Sequence, residues 1–287
     1  MHKWMAKHIR ELSKDGITFI PNAISKKKCN YYINRFDNII TRFEKNHIPL
    51  NTSCQTIENC FRHDLKLVEL IYHKKVDAIL KKLIDENYIL IVSNLMNRTY
   101  RQFKHTRPER IGRAWHHDSR VVGNKTLEKG FGYIAITMFN DFNEQNASTL
   151  YVPKSHTRRS QPVRRYNYKY KQILGKAGTI AIFDAGLWHK AGKVSTNNRW
   201  GMFSYYGPWF VKPYYRFPDM LGDHFPSYLK DKVKNNIKEN VLRLLHYYST
   251  PPKNELERRY TLTQDRKVME IQRKLRIFTR SDIKIKN

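Results

Sequence analysis

Acidic residues and cysteines are both scarce in this 287-residue chain. Asp and Glu together number 25 against 54 Lys and Arg, which leaves a formal net charge of +29 at pH 7. The three cysteines, Cys29, Cys54 and Cys60, form an odd set without the paired spacing of a zinc site. A disulfide-built secreted domain is therefore disfavoured, and we expect a reduced, cytoplasmic protein.

Long apolar stretches are missing as well. No segment approaches the roughly 20 consecutive apolar residues that a membrane-spanning helix needs, and residues 1–10 lack the apolar core of a secretory signal. The remaining composition is that of a folded protein, because 40% of the residues are hydrophobic. A chain of this length can bury a sizeable core, as one large domain or two small ones.

One motif with a remote histidine is the most informative feature of the sequence. His116-His117-Asp118 is followed far downstream by His189. Residues i and i+2 of a strand point to the same face, so His116 and Asp118 can converge on one ion while His117 points away. His189 follows the apolar, β-branched segment 179–184, which is typical of a buried strand. Two histidines and one carboxylate are the donors of a facial-triad Fe(II) site, which leaves positions open for a co-substrate and O₂.

An arginine, Arg199, follows His189 by ten residues. A guanidinium in that place can hold the far carboxylate of 2-oxoglutarate in a bidentate fork. Plainer interpretations exist, because a chain with 12 histidines contains a His-x-Asp triplet easily and Arg199 is equally consistent with a surface cation. The joint order of triplet, apolar strand, histidine and arginine favours an oxygenase site over these alternatives.

Segments outside the candidate ligands carry a resemblance to a known family. Residues 11–25 read as a helix that leads through Asp-Gly into a strand and a Pro-containing turn. Residues 140–156 end in Pro-Lys-Ser-His, and residues 177–189 combine a glycine turn, a strand and a histidine. Asn197 and Arg199 follow in the expected places. From about residue 9 to about residue 246, the chain resembles the phytanoyl-CoA dioxygenase family of Fe(II)/2-oxoglutarate oxygenases.

The chain departs from the family pattern at two turns. Ala147 and Lys154 stand where the family usually has glycine, a residue that tolerates positive φ. These changes bear on the shape of the loop and leave the metal site intact. Asp118 is retained, whereas halogenating relatives replace that carboxylate with a small residue. Its retention favours hydroxylation.

The resemblance implies a fold, a reaction and a set of ligands. The fold would be mainly β with flanking helices around a double-stranded β-helix, the jelly-roll or cupin-like core. His116, Asp118 and His189 would hold Fe(II), with no catalytic side chain beyond these ligands. 2-Oxoglutarate would bind with its distal carboxylate on Arg199, and O₂ would complete the site. The product would be a hydroxylated C–H bond of a small-molecule substrate.

Two further residues are candidates for the carboxylates of 2-oxoglutarate. Gln102 lies in a segment, 88–104, that looks like the strand crossing beside the co-substrate in relatives, and Thr137 lies in another strand-like segment. An ordinary strand position is an equally good interpretation of both residues.

The apolar spacing also indicates how the chain is organised. Ser25 is a plausible N-cap for a helix that runs to about Asn46, and a second amphipathic helix follows at 76–84. Short strands dominate from 88 to about 208, and helices return around 233–245. We therefore expect a dioxygenase domain over 1–250 with its β-core at about 88–210, followed by a basic extension over 251–287.

The positive charge has three interpretations that the sequence leaves open. One is an acidic metabolite as substrate, such as a CoA ester, a phosphate, a phosphonate or a secondary metabolite. Another is a nucleic acid or an anionic membrane, because the tyrosine-rich basic segment 164–171 can grip phosphates and stack on bases. A binding module on the same scaffold, with or without oxygenase activity, belongs with this alternative. The third is lysine drift onto solvated faces.

Segment 157–171 is expected to form a loop over the mouth of the site. Alkylation-repair dioxygenases use a similar triad but need a second arginine six residues after the first, where this chain has Tyr205. The repair interpretation is thereby weakened, and the sequence does not indicate the oligomeric state.

Overall fold

The computed structural model describes residues 3–48, 55–98, 114–118, 121–122, 125–126, 132–146, 148–158, 160–192, 199–230 and 233–248. Several residues that the sequence analysis singles out lie outside these ranges: Cys54, Gln102, Ala147, Asn197 and the predicted extension 251–287. Among the described helices, none is both long and apolar enough to cross a membrane.

Six α-helices and eleven β-strands are present in the described residues. The helices are α1 Lys3–Asp15, α2 Lys26–Lys45, α3 Lys74–Leu83, α4 Phe217–Leu221, α5 Phe225–Lys230 and α6 Asn235–Leu244, with 3₁₀ turns at Cys60–Arg62, Leu65–Ile71 and Ser155–Thr157. The strands are β1 Ile17–Ile20, β2 Gln55–Glu58, β3 Ile89–Arg98, β4 Val121–Val122, β5 Lys125–Thr126, β6 Tyr133–Met138, β7 Leu150–Tyr151, β8 Lys171–Gln172, β9 Ile180–Asp184, β10 His189–Lys190 and β11 Arg199–Gly207.

The strands form antiparallel sheets. The largest sheet has six strands in the order β1-β9-β6-β11-β3-β2. A second sheet has the order β10-β7-β8, and β4 pairs with β5. Neighbours in these sheets are far apart in sequence, because β1 pairs with β9 and β11 lies between β3 and β6. The architecture is thus mainly β and antiparallel with flanking helices, as the sequence predicts.

The large sheet separates two hydrophobic clusters. Alternate residues of a strand point to opposite faces, and β11 follows this rule: Trp200 and Met202 join the cluster beneath the helices, whereas Tyr205 joins the cluster on the other face. On the helix side, the Phe36 ring of α2 lies 5.4 Å from Trp200 and 4.8 Å from Phe139 between centroids. The second face of the sheet is left to form the site.

The helices predicted from apolar spacing are confirmed. Ser25 caps α2, since its side chain accepts a hydrogen bond from the Lys28 backbone N–H. The buried positions of α2 are Cys29, Tyr32, Phe36, Ile39 and Ile40, which lie on one side of the helix. The aromatic stripe of this helix is therefore core.

The turn that departs from the family pattern keeps a glycine-like conformation. Lys154 has φ 64° and ψ 4°, in the left-handed region that glycine normally occupies. Its backbone N–H donates to the Asp15 carbonyl at 3.2 Å, which ties the turn to the end of α1. The lysine therefore changes the side chain of this turn without changing the backbone path.

Candidate metal centre

Two backbone hydrogen bonds bring the remote histidines together. His116 and His189 form an isolated antiparallel bridge, in which each backbone N–H donates to the carbonyl of the other at 3.0 and 2.8 Å. The Asp118 N–H donates to the Ala185 carbonyl at 2.9 Å, just beyond the end of β9. The two segments therefore face each other as the spacing of the motif predicts.

The side chains of this bridge converge on one point. His189 Nε2 lies 3.3 Å from Asp118 Oδ2, and His116 Nε2 lies 3.9 Å from Asp118 Oδ1. One donor atom from each of the three residues lies within 4.8 Å of the others. This spacing allows one ion to contact all three donors.

Both imidazole rings are oriented by the backbone. His116 Nδ1 lies 2.9 Å from the Ala114 carbonyl oxygen, and His189 Nδ1 lies 2.9 Å from the Leu187 carbonyl oxygen. A carbonyl only accepts, so each Nδ1 carries a proton, and Nε2 is the ring atom that is left to bind a metal. Metal-binding histidines are held in this way, and the donor set fits Fe(II).

The three donors also adjust one another's protonation. Burial raises the pKa of Asp118, but the neighbouring His189, His116 and His117 outweigh it, and that pKa is lowered. Burial lowers the pKa of His189, but the Asp118 carboxylate outweighs it, and that pKa is raised. Burial and His189 lower the pKa of His116. Asp118 therefore stays ionised and His116 neutral near pH 7, the states that bind a metal.

A cavity of about 320 Å³ opens in front of these residues. The described residues that line it are Val92, Asn94, Met96, His116, Asp118, Ile134, Thr149, Phe183, His189, Lys190, Ala191, Arg199, Phe203, Tyr205 and Tyr214. Much of the wall is apolar, and the polar groups cluster near the triad. This combination is typical of a small-molecule site.

Arg199 lies in the cavity wall at the start of β11. Its side chain is almost fully buried, at 2% exposure. The guanidinium carbon lies 4.9 Å from the centroid of Phe142 and 5.7 Å from that of Phe203, so aromatic faces hold the cation in place. The structure therefore brings Arg199 to the same cavity as the three candidate ligands.

Thr137 is not part of this arrangement. It pairs with Met202 in β11, and that register places it on the face that carries the helices. Ile134, three residues earlier in β6, lines the cavity instead. The prediction of Thr137 as a co-substrate ligand is therefore corrected. The sequence pattern does not determine which residues of β6 face the cavity. Gln102 lies outside the described residues.

A polar residue that sequence reasoning missed is Asn94. It pairs with Phe203 across β3 and β11, so both side chains face the cavity. Its Oδ1 atom is buried and has no hydrogen-bond partner among the described residues. A buried amide oxygen without a partner is costly and calls for an explanation. The signal in the sequence is the alternation of β3, but the register with β11 is needed to interpret it.

The fold and the donor set together are typical of one class of protein, the jelly-roll proteins with a metal centre of two histidines and one carboxylate. The phytanoyl-CoA dioxygenase (PhyH) family profile matches residues 12–200, and the chain belongs to that family. The predicted resemblance and jelly-roll fold are thereby confirmed. No curated protein matches the chain significantly by sequence.

Solved structures agree with the fold. One is HygX from Streptomyces hygroscopicus with nickel and 2-oxoglutarate bound, with a TM-score of 0.57 and 11% identity over 77% of this chain and 94% of that one. Another is the epimerase SnoN in complex with Fe³⁺, α-ketoglutarate and nogalamycin RO, at 0.55 and 13% over 73% and 86%. EctD from S. alaskensis with bound Fe scores 0.55 at 15% identity over 72% and 79%. Such low identities show the fold alone.

Family membership and the converging donors together establish the enzyme class. The protein is an Fe(II)- and 2-oxoglutarate-dependent oxygenase that uses O₂, as the sequence predicts. The relatives named above include an epimerase, so membership of the class leaves the reaction and the substrate to be argued from this chain.

Proposed function

We propose that this protein hydroxylates a C–H bond of a small, anionic metabolite. His116, Asp118 and His189 would hold Fe(II), and Arg199 would anchor 2-oxoglutarate. The observation that carries the proposal is the meeting of three donor atoms within 4.8 Å at a cavity that Arg199 also lines. The ionised Asp118 supports hydroxylation, because a carboxylate in that place occupies the position that a halogenating enzyme leaves for chloride.

The protein's part in this chemistry is to hold, orient and shield. When bound, Fe(II) with 2-oxoglutarate and O₂ supplies the oxidising chemistry, which yields succinate, CO₂ and an alcohol. The carbonyls of Ala114 and Leu187 keep both histidines oriented for binding. Apolar walls such as Ile134 and Phe183 keep water from the reacting carbon.

Arg199 has the properties that a carboxylate anchor needs. Its guanidinium is permanently charged and offers parallel N–H groups that match a carboxylate. Its burial strengthens the attraction, because a charge interaction is weaker in water than in a protein interior. Asn94, on the same face of the sheet, offers an amide to the same ligand or to the substrate.

The charges of the cavity support an anionic substrate. Among the described lining residues, Asp118 is the one acid, and a bound cation would neutralise it. Lys190 lines the cavity in addition to Arg199, but its Nζ lies 4.4 Å from the centroid of Trp115, whose ring is on the side away from His116. Basic residues therefore outnumber acids in the described lining, which favours an anionic substrate. The volume suits a metabolite and not a macromolecule.

The proposal extends to location. Cys29 and Cys60 are free and buried in the core. Reduced thiols of this kind support the cytoplasmic location that the sequence predicts.

An anaerobic titration tests the metal and co-substrate assignment. Fe(II) and then 2-oxoglutarate are added to the purified protein, and the weak visible charge-transfer band of the chelate is followed. A saturable band that disappears in His189→Ala and persists in Thr137→Val is the expected result. A band of full intensity in His189→Ala would refute the ligand set.

A coupled assay tests the substrate class. Succinate release is compared for pairs of acidic metabolites and their neutral esters or dephosphorylated forms. We expect stimulation by one or more acidic members, and little or none by their neutral counterparts. Stimulation by neutral compounds alone would refute the anionic substrate.

A further inference from the structure

A second concave site lies outside the metal cavity. This outer groove has a volume of about 380 Å³, and its described lining consists of Val152, Pro153, Arg158, Tyr168, Lys169, Tyr170 and Lys171. The lining has no residue in common with that of the metal cavity. The sequence predicts that segment 157–171 covers the mouth of the site, but five of its described residues line this groove and none of its described residues lines the cavity.

Two tryptophan rings pack against Tyr168, one of the residues that line the outer groove. The Tyr168 ring lies 5.7 Å from Trp115 and 5.1 Å from Trp188 between centroids. Each tryptophan immediately precedes a candidate metal ligand, and adjacent residues of an extended chain point to opposite sides. The rings therefore occupy the reverse side of the segments that carry His116 and His189.

Several cations lie around these rings. Between Gln145 and Phe183 the chain has eight Lys and Arg and no Asp or Glu. The Arg158 guanidinium carbon lies 4.8 Å from the centroid of Trp188. In the described part of the chain, no carboxylate forms a salt bridge with Arg158, Lys169 or Lys171. The groove thus concentrates uncompensated positive charge, which attracts phosphates.

Two tyrosines beside the groove expose their rings. Tyr166 is 58% exposed and Tyr170 is 50% exposed. The segment is held in place, because Trp115 donates from its backbone N–H to the Arg164 carbonyl at 3.0 Å and from its indole N–H to the Tyr166 carbonyl at 2.9 Å. Exposed rings on an anchored backbone are ready to stack on a planar partner.

From this combination we infer that the outer groove binds single-stranded nucleic acid. Lys169, Lys171 and Arg158 contact the phosphates, and the Tyr170 and Tyr166 rings stack on bases. Proteins that bind single strands without sequence preference combine a basic groove with aromatic platforms in this way. An acidic peptide would use the cations but leave the rings without planar partners. The inference stands apart from the oxygenase function, because it uses none of the cavity residues.

Fluorescence anisotropy with a labelled oligothymidylate tests the inference. The probe has about 12 nucleotides, within the site sizes of single-strand-binding grooves, and the full-length protein is titrated at several salt concentrations. In Lys169→Gln/Lys171→Gln, we expect weaker binding and a log–log salt slope that is shallower by about 1.4, which corresponds to two phosphate contacts. In Tyr170→Ala, the affinity should fall about five- to 150-fold, the range for one stacked base, whereas Tyr170→Phe should bind normally.

Matched controls separate the groove from net charge. Lys27→Gln/Lys66→Gln removes the same charge from exposed positions on α2 and on the Leu65–Ile71 turn. An equal loss in this control would overturn the inference, because net charge alone would then explain the binding. Equal affinity for an abasic strand and for the thymidylate would also overturn it.

Two further readouts complete the test. Vesicles of phosphatidylserine and phosphatidylcholine that bind through Lys169 and Lys171, with oligonucleotide binding unaffected by these substitutions, would reassign the groove to a membrane surface and overturn the inference. The Fe(II)–2-oxoglutarate band of the groove variants should stay at wild-type intensity. That band distinguishes a failed groove variant from a misfolded protein and from failure of the proposed oxygenase site.

Discussion

At the scale of single residues, the sequence located the donors but not the whole wall of the cavity. His116 and Asp118 could be paired because a spacing of two places side chains on one face of any extended segment. Asn94 and Thr137 could not be assigned, because the face that a buried strand turns to a ligand depends on its register with neighbours far away in sequence. The register of β6 with β11 places Thr137 on the helix side of the sheet. The register of β3 with β11 places Asn94 on the cavity side.

Replacement of Arg199 should act mainly on the co-substrate. Arg199→Ala removes a charge-assisted, bidentate contact, so we expect the KM for 2-oxoglutarate to rise about 30- to 150-fold. Steady-state assays at saturating Fe(II) measure this change. Arg199→Lys keeps the charge without the planar fork, so its KM should lie between those of the wild type and of Arg199→Ala. An unchanged KM in Arg199→Ala would mean that another residue anchors the carboxylate.

Lys154 offers a prediction about stability. A residue with a Cβ at φ 64° carries strain that glycine lacks, and the backbone entropy of glycine offsets part of the gain. Lys154→Gly should therefore raise the free energy of unfolding by about 0.5–1 kcal/mol, measured by urea denaturation. Lys154→Ala removes the same charge but keeps the Cβ, and it should give no gain. Equal gains in both variants would assign the effect to charge.

At the scale of elements, the positions of helices and strands could be predicted more fully than the pairing of the strands. The apolar spacing of α2 and its cap at Ser25 are local signals. The pairing of β1 with β9, and of β11 with both β3 and β6, depends on contacts between distant segments and entered through the family resemblance instead. The strand predicted over 179–184 also rests on a local signal, its apolar and β-branched composition, and it corresponds to β9.

Gly178 should be essential to the start of β9. It has φ +86°, and a Cβ there would lie 1.9 Å from the Ile24 carbonyl oxygen. The Ile24 N–H also donates to the Gly178 carbonyl at 3.0 Å, so the two backbones cannot separate without loss of this bond. We expect Gly178→Ala to cost more than about 2 kcal/mol of unfolding free energy, as close-packed clashes do.

A matched glycine isolates the cause of that loss. Gly222 has a similar φ of +83°, but a Cβ there meets no atom within 4 Å. Gly222→Ala therefore carries only the backbone strain of φ +83° and ψ 163°, a region that side-chain-bearing residues rarely adopt, about 1–3 kcal/mol. Chemical denaturation of both variants gives the difference. Equal losses would show that the approach of Ile24 contributes nothing.

At the scale of the whole molecule, the jelly-roll core could be predicted because family motifs extend over most of the domain. The distribution of charge on the surface could not be predicted, because the net charge gives only the total and not where the charges lie. The structure resolves this sum into a cavity with Lys190 and Arg199 and a separate outer groove with Arg158, Lys169 and Lys171.

The packing of α6 and its following turn against the sheet should make stability depend on pH. His246 lies in this turn at 5% exposure, 2.8 Å from the Leu90 carbonyl of β3 and edge-on to Phe217 at 5.3 Å. Burial lowers the pKa of His246 from 6.5 to about 4. The unfolded chain therefore takes up a proton at higher pH than the folded chain, and acid favours unfolding.

The contribution of His246 is fully present above pH 6.5 and is lost as the pH falls towards 4, by as much as about 3 kcal/mol. Urea denaturation across this range should show the decline. His246→Asn tolerates the positive φ of this position and does not titrate. The variant should be less stable than the wild type at pH 7, and its free energy of unfolding should fall less steeply as the pH is lowered. Some decline should remain, since other histidines still titrate. Parallel curves for the two proteins would mean that His246 is not the group through which acid loosens the helix–sheet contact.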